Sequence, residues 1–186
     1  QAFTREGCDY LIAMGGGSPM DLMKAAAVLL RYPGTPLRRF LGQVIEGPFV
    51  PMVAIPTTAG TGSEATMFTV ITDEETQVKM LLKGPDLIPD VAVVDPSFTD
   101  TAPPAVTAAT GLDALCHAIE AYTSRLAQPL TDPLALSATR RILTYLPRAY
   151  RDGGDEEARH QMALAALEAG VCITNSSVTL IHGLSR

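Results

Sequence analysis

The chain has 186 residues, 47% of them hydrophobic and 18% charged, a make-up that suits a globular protein with a sizeable core. Its net charge of -6 and pI near 5.0 argue against nucleic acid and against a polybasic membrane patch. No apolar run approaches bilayer length, and with no Trp and 5% aromatics a stacking platform for bases is not expected.

Three cysteines, Cys8, Cys116 and Cys172, lack any CxxC spacing. They read as reduced, mostly buried thiols of a cytosolic protein rather than as a disulfide framework. The opening residues do not read as a signal peptide and include no Met, so the chain is expected to begin inside a longer protein.

In chain order, residues 9–14 form an apolar run that predicts a buried strand, closed by Gly15-Gly16-Gly17. A helix follows, with Ser18 as N-cap and Pro19 at its first position, running to about Leu30. Residues 52–55 predict a second buried strand ended by Pro56. Residues 67–72 and 77–82 flank Asp73-Glu74-Glu75-Thr76 as a hairpin, and residues 91–94 make another short buried strand. Alternation of strand, turn and helix indicates an α/β domain with a largely parallel sheet over residues 1–99. After Pro103-Pro104 the texture turns helical, with periodic segments near 105–123, 132–150 and 156–173 and a break at Asp152-Gly153-Gly154-Asp155. Residues 100–186 therefore read as an all-helical domain.

Two loops and one helix carry candidate chemistry. The glycine run between strand and helix lets the backbone approach an anion, and helix-start N–H groups can meet phosphates. It matches neither GxGxxG nor the P-loop, and a plain tight turn is the alternative. The segment from Pro56 to Thr66 holds four threonines, one serine and two glycines. Many small donors at the end of a second strand fit a nucleotide at the carboxyl edge of a sheet, or an ordinary polar loop. Asp113 and His117, four apart on a helix, share one face. They can chelate a divalent ion or pair with each other, and spacing leaves both readings open. His182 stands in an apolar context that suits either a core histidine or a ligand. His160 lies among charges on what reads as a solvated face. Asp, His and His together would suit Fe(II) or Zn(II).

The ordered stretches Gly15-Gly16-Gly17-Ser18-Pro19-x-Asp21-x-x-Lys24, Pro56 to Glu64, Ile71-Thr72-Asp73, Pro89-Asp90-x-Ala92-x-x-Asp95-Pro96, Ala109 to Glu120 and His182-Gly183 resemble the iron-containing, group III alcohol dehydrogenases. The resemblance covers essentially the whole chain. It implies a dehydroquinate synthase-like fold, with a dinucleotide-binding α/β domain, a helical domain and the active site in the cleft between them. It implies that Gly16, Gly17, Ser18 and Asp21 hold the pyrophosphate, and that Thr57, Thr58, Thr61, Thr66 and Lys79 line the cofactor site. Asp113, His117 and His182 match three of four metal ligands. The fourth is a histidine downstream of Arg186, which itself stands where many relatives have His. The implied activity is hydride transfer between a small alcohol or carbonyl compound and NAD or NADP, in a homo-oligomer without nucleic-acid or membrane partners, the present chain being a fragment lacking both ends. Maleylacetate reductase, hydroxyacid-oxoacid transhydrogenase and a non-catalytic nucleotide- or metal-binding fragment are the rival readings.

Overall fold

A computed structural model describes residues 2–184; Arg186 lies outside them. A short helix α1 (Ala2–Arg5) precedes strand β1 (Leu11–Gly15), helix α2 (Gly17–Arg31) and strand β2 (Met52–Pro56). Strands β3 (Phe68–Thr72) and β4 (Lys79–Lys83) form an antiparallel hairpin, and β5 (Val91–Ala92) completes a parallel sheet ordered β1-β2-β5. Helices α3 (Pro104–Thr123), α4 (Asp132–Arg151), α5 (Glu156–Ser176) and α6 (Leu180–Leu184) make the second half.

The sheet is covered on one face. Ala13, Met52 and Ala54 point toward α2, whose Met20, Met23 and Ala27 complete that core. Ile12, Met14 and Val91 point the other way and are about half exposed. The expectation of buried strands therefore holds on one face only; even β2 alternates between buried and half-buried residues. A short apolar run does not reveal which face a neighbour covers.

Helix α2 starts two residues earlier than predicted. Gly16 occupies the N-cap in extended geometry, no side chain caps it, and Ser18 lies inside the first turn. Ser18 is thus not the N-cap, and Pro19 remains within the turn where its missing N–H is harmless. In the hairpin the second arm begins at Lys79 rather than residue 77. Gln77 has φ 58, and the Asp73 carboxylate accepts from the N–H groups of Glu75 and Thr76, which lengthens the turn.

The helical half matches its predicted segments within three residues at each end. Asp155 caps α5 by accepting from Ala158 N–H at 3.0 Å. Alanines dominate the core: Ala114, Ala118, Ala138, Ala158, Ala165, Ala166 and Ala169, with Ile142 and Met162. Small side chains let α3, α4 and α5 approach closely. Among the cysteines, Cys172 is buried but Cys8 is exposed and Cys116 intermediate, so the expectation of mostly buried thiols holds for Cys172 alone. Among the described residues no helix is long and apolar enough to cross a membrane.

The two halves meet along a packed seam. The loop after β2 sits on α3 and α5, and Ala59 joins the helical core. A Cβ on Gly60 would stand 2.5 Å from Thr110 Cβ. The glycines of this loop thus serve close packing onto helices, a role composition did not separate from ligand wrapping.

Candidate metal and dinucleotide site

Helix α3 turns its Ala114, Ala118 and Ala121 into the core. The adjoining stripe, offset by one residue, carries Asp113, His117 and Glu120. His117 is buried, while the Asp113 side chain is 39% exposed. The loop after α5 brings His182 on α6 against this stripe. His117 Nε2 lies 3.8 Å and His182 Nε2 3.6 Å from Asp113 Oδ1, too long for ordinary hydrogen bonds. The two imidazoles stack with centroids 4.6 Å apart at 20°. One donor atom from each of the three residues falls within 4.8 Å of the others.

The electrostatics suit a set of lone-pair donors. Burial pushes the His117 pKa down, with Asp113 opposing and His182 adding repulsion. Contact with Asp113 raises that of His182, against burial and with help from Glu120. Burial would raise the Asp113 carboxyl, but His182 and His117 outweigh it and hold it below its usual range. Among the described residues the buried His117 Nδ1 has no hydrogen-bond partner. Two stacked rings and a carboxylate facing one point are hard to satisfy with protons alone. One carboxylate oxygen and two imidazole nitrogens are a fitting set for Fe(II) or Zn(II). Spacing left chelate and ion pair open at Asp113 and His117; the third donor favours the chelate.

These donors border a cleft of roughly 630 Å³. Its opposite lining includes Gly17 and Ser18 at the start of α2, with Asp21, Thr61, Ser63, Thr66 and Lys79. Phe68, Val70 and Leu81 of the hairpin supply an apolar wall. Gly17, Ser18, Asp21, Thr61, Thr66 and Lys79 are thus brought together on one cleft. Gly16, Thr57 and Thr58 do not line this cleft. The Thr57 N–H donates to Gly15 O at 2.8 Å, tying the two loops. Thr58 packs beside Gly16 and faces a cavity of about 10 Å³ that also touches Arg159, room for no more than one water.

Asp21 and Thr66 are occupied internally. Asp21 accepts from Ser63 Oγ at 2.7 Å and from Val70 N–H at 2.9 Å. Lys24, fully buried, donates to Thr66 O (2.7 Å), Thr66 Oγ1 (3.1 Å), Ser63 Oγ (3.1 Å) and Phe68 O (2.8 Å). Lys24 is the hub that fixes loop and hairpin around α2, a role the sequence reading did not assign. Its position three residues after Asp21, on the same helix face, was the available signal. Burial drives its pKa down to about 8, against Asp21 and Glu64.

Sequence and fold are similar to those of known proteins. The family model "Iron-containing alcohol dehydrogenase" matches residues 1–96, and that of the C-terminal part of the Fe-containing alcohol dehydrogenase family matches residues 107–186. An NAD-dependent methanol dehydrogenase of Bacillus methanolicus is 46% identical over 185 residues, 99% of this chain and 48% of that protein. An NADPH-dependent butanol dehydrogenase of Clostridium saccharobutylicum is 43% identical, over 96% of this chain and 46% of its own length. The crystal structure of a sulfoacetaldehyde reductase from Bifidobacterium kashiwanohense in complex with NAD+ superposes with a TM-score of 0.92 at 37% identity, covering 99% of this chain and 49% of that one. The chain spans about half the length of the curated relatives it matches.

Proposed function

The chain belongs to the iron-containing alcohol dehydrogenase family, and we propose that it carries the central part of an oxidoreductase interconverting a small alcohol with its aldehyde or ketone. NAD or NADP serves as hydride carrier, and the protein is metal-dependent. Fe(II) is the ion the family description favours, and the donor set suits Zn(II) as well. The observation that carries this reading is one cleft with phosphate-type donors on one lining and Asp113, His117 and His182 on the other.

Each lining has its task. The first-turn N–H groups of α2, a helix of 15 residues, present the positive end of its dipole to a pyrophosphate. Thr61 offers a hydroxyl beside it, and Lys79 adds charge from the hairpin. Asp21 acts one step back, by holding Ser63 and the Val70 backbone in place. Phe68, Val70 and Leu81 exclude water from the reacting end, which strengthens every electrostatic contact there. Asp113, His117 and His182 would hold the ion. When bound, the ion supplies Lewis-acid stabilisation of a substrate oxygen and the nicotinamide supplies the hydride acceptor.

Binding of NADH or NADPH is read from the change in nicotinamide fluorescence. The test is a titration of the 186-residue chain with each nucleotide, beside an alcohol and aldehyde panel on the full-length protein with Fe(II) or Zn(II). Nucleotide binding by the chain and metal-dependent turnover by the longer protein support the reading. Failure of every substrate to change NAD(P)H absorbance overturns it.

A further inference from the structure

Glu120 is the acidic group on α3 that a three-donor ion site leaves unexplained. It lies three residues after His117 and seven after Asp113, so the three share one helix stripe. It is 2% exposed, a costly place for a carboxylate without partners. It has three partners, all from the loop and helix that carry His182. Oε1 accepts from Thr179 Oγ1 at 3.0 Å and from Ile181 N–H at 2.6 Å. Oε2 meets His182 Nδ1.

Helix α6 has five residues and buries none of them. It has little packing of its own to fix the direction of His182. The Glu120 bonds supply that direction. A carboxylate facing Nδ1 keeps a proton there, and the other ring nitrogen then keeps its lone pair. That other nitrogen, Nε2, is the one facing Asp113. Carboxylate, imidazole and metal in sequence is the usual way a protein orients a histidine ligand. Glu120 is not itself a fourth donor: the atoms within 4.8 Å of one another come from Asp113, His117 and His182, and its oxygens are engaged behind the ring.

We infer that Glu120 is the positioning residue that sets the tautomer and orientation of His182, so that Nε2 is presented as a ligand. The inference rests on the ion-binding reading given above. Its own content, which nitrogen carries the proton, is separable from that reading.

The experiment uses the 186-residue chain labelled with 15N-histidine, metal-free, at a pH where the rings are neutral. Two-bond 1H–15N spectra read the tautomer, and a Zn(II) titration reads affinity. In the parent chain His182 carries its proton on Nδ1. In Glu120→Gln the amide still accepts from Thr179 and Ile181 but offers N–H to the ring, so the proton moves to Nε2. Zn(II) affinity then falls roughly 10- to 100-fold, while the thermal midpoint of the metal-free chain stays close to the parent's. Glu120→Ala loses affinity and also loosens the segment after Ser176. A proton on Nε2 in the parent chain overturns the inference without any variant, as does Glu120→Gln with unchanged tautomer and affinity. A parent chain that binds no Zn(II) but shows the tautomer exchange removes the ion-binding reading and leaves the role of Glu120 standing.

Discussion

Gly62 and Gly170 meet backbone to backbone across the seam between the two halves. A Cβ on Gly62 would lie 2.6 Å from Gly170 Cα, and one on Gly170 would lie 2.7 Å from the Gly62 carbonyl oxygen. Gly62 also has φ +62, where a side chain is strained. Both obstacles are backbone atoms, which cannot swing aside. Gly170→Ala is therefore expected to cost about 1–3 kcal/mol. The urea midpoint of the chain checks it, and a midpoint equal to the parent's would mean the seam is looser than described. Because this loop carries Thr61, the same substitution should weaken NADH binding.

Lys24 predicts an unusual pH dependence. Its pKa falls from 10.5 to about 8 on burial, so between those values the unfolded chain holds the proton that the folded chain has released. The state binding more protons is the unfolded one, and stability gains from this group as pH rises. The gain is at most about 1.4 kcal/mol per pH unit. It is absent below pH 8, where both states are charged. Denaturation of the parent and of Lys24→Met from pH 7 to 10.5 isolates it: the difference between them should change across the window. A constant difference contradicts the account. Lys24→Met should also be less stable at pH 7, since Ser63, Thr66 and Phe68 lose a donor.

Adjacent residues on α5 should behave oppositely. Arg159 is 4% exposed and donates to Gly153 O (3.0 Å), Thr107 Oγ1 (3.0 Å) and Ala102 O (3.3 Å). It ties the start of α3 to the loop before α5, with no carboxylate partner among the described residues. Arg159→Met is expected to destabilise by about 2 kcal/mol or more, because three acceptors lose a charged donor. His160, exposed on the same helix, should change stability by less than about 0.5 kcal/mol when replaced by Ala. Thermal melts of the two variants decide it.

The contrast at 159 and 160 marks how far the sequence could be read. Periodicity and turn residues located α3, α4 and α5 closely, because each helix writes its own face and its own stops. Motif order brought Asp113, His117 and His182 into one proposal before any distance was known. What local pattern could not carry was the fate of a side chain decided by a distant segment. Arg159 looks like its charged neighbours, yet Thr107 and Ala102, more than fifty residues earlier, bury it. Thr57 and Thr58 look like cofactor donors, yet they tie loops together. Lys24 looks like a surface lysine about two turns past a glycine run, and a hairpin about forty residues on encloses it. Glu120 closes a motif, and its partner stands 62 residues later in α6.

Calorimetric titration of the metal-free chain with Zn(II) decides whether Asp113, His117 and His182 hold one divalent ion. Binding at one ion per chain is expected. Asp113→Asn, His117→Ala and His182→Ala should each weaken it by more than about tenfold, and His160→Ala should leave it unchanged. Binding that survives loss of any of the three ligands, or that depends on His160 instead, would contradict it.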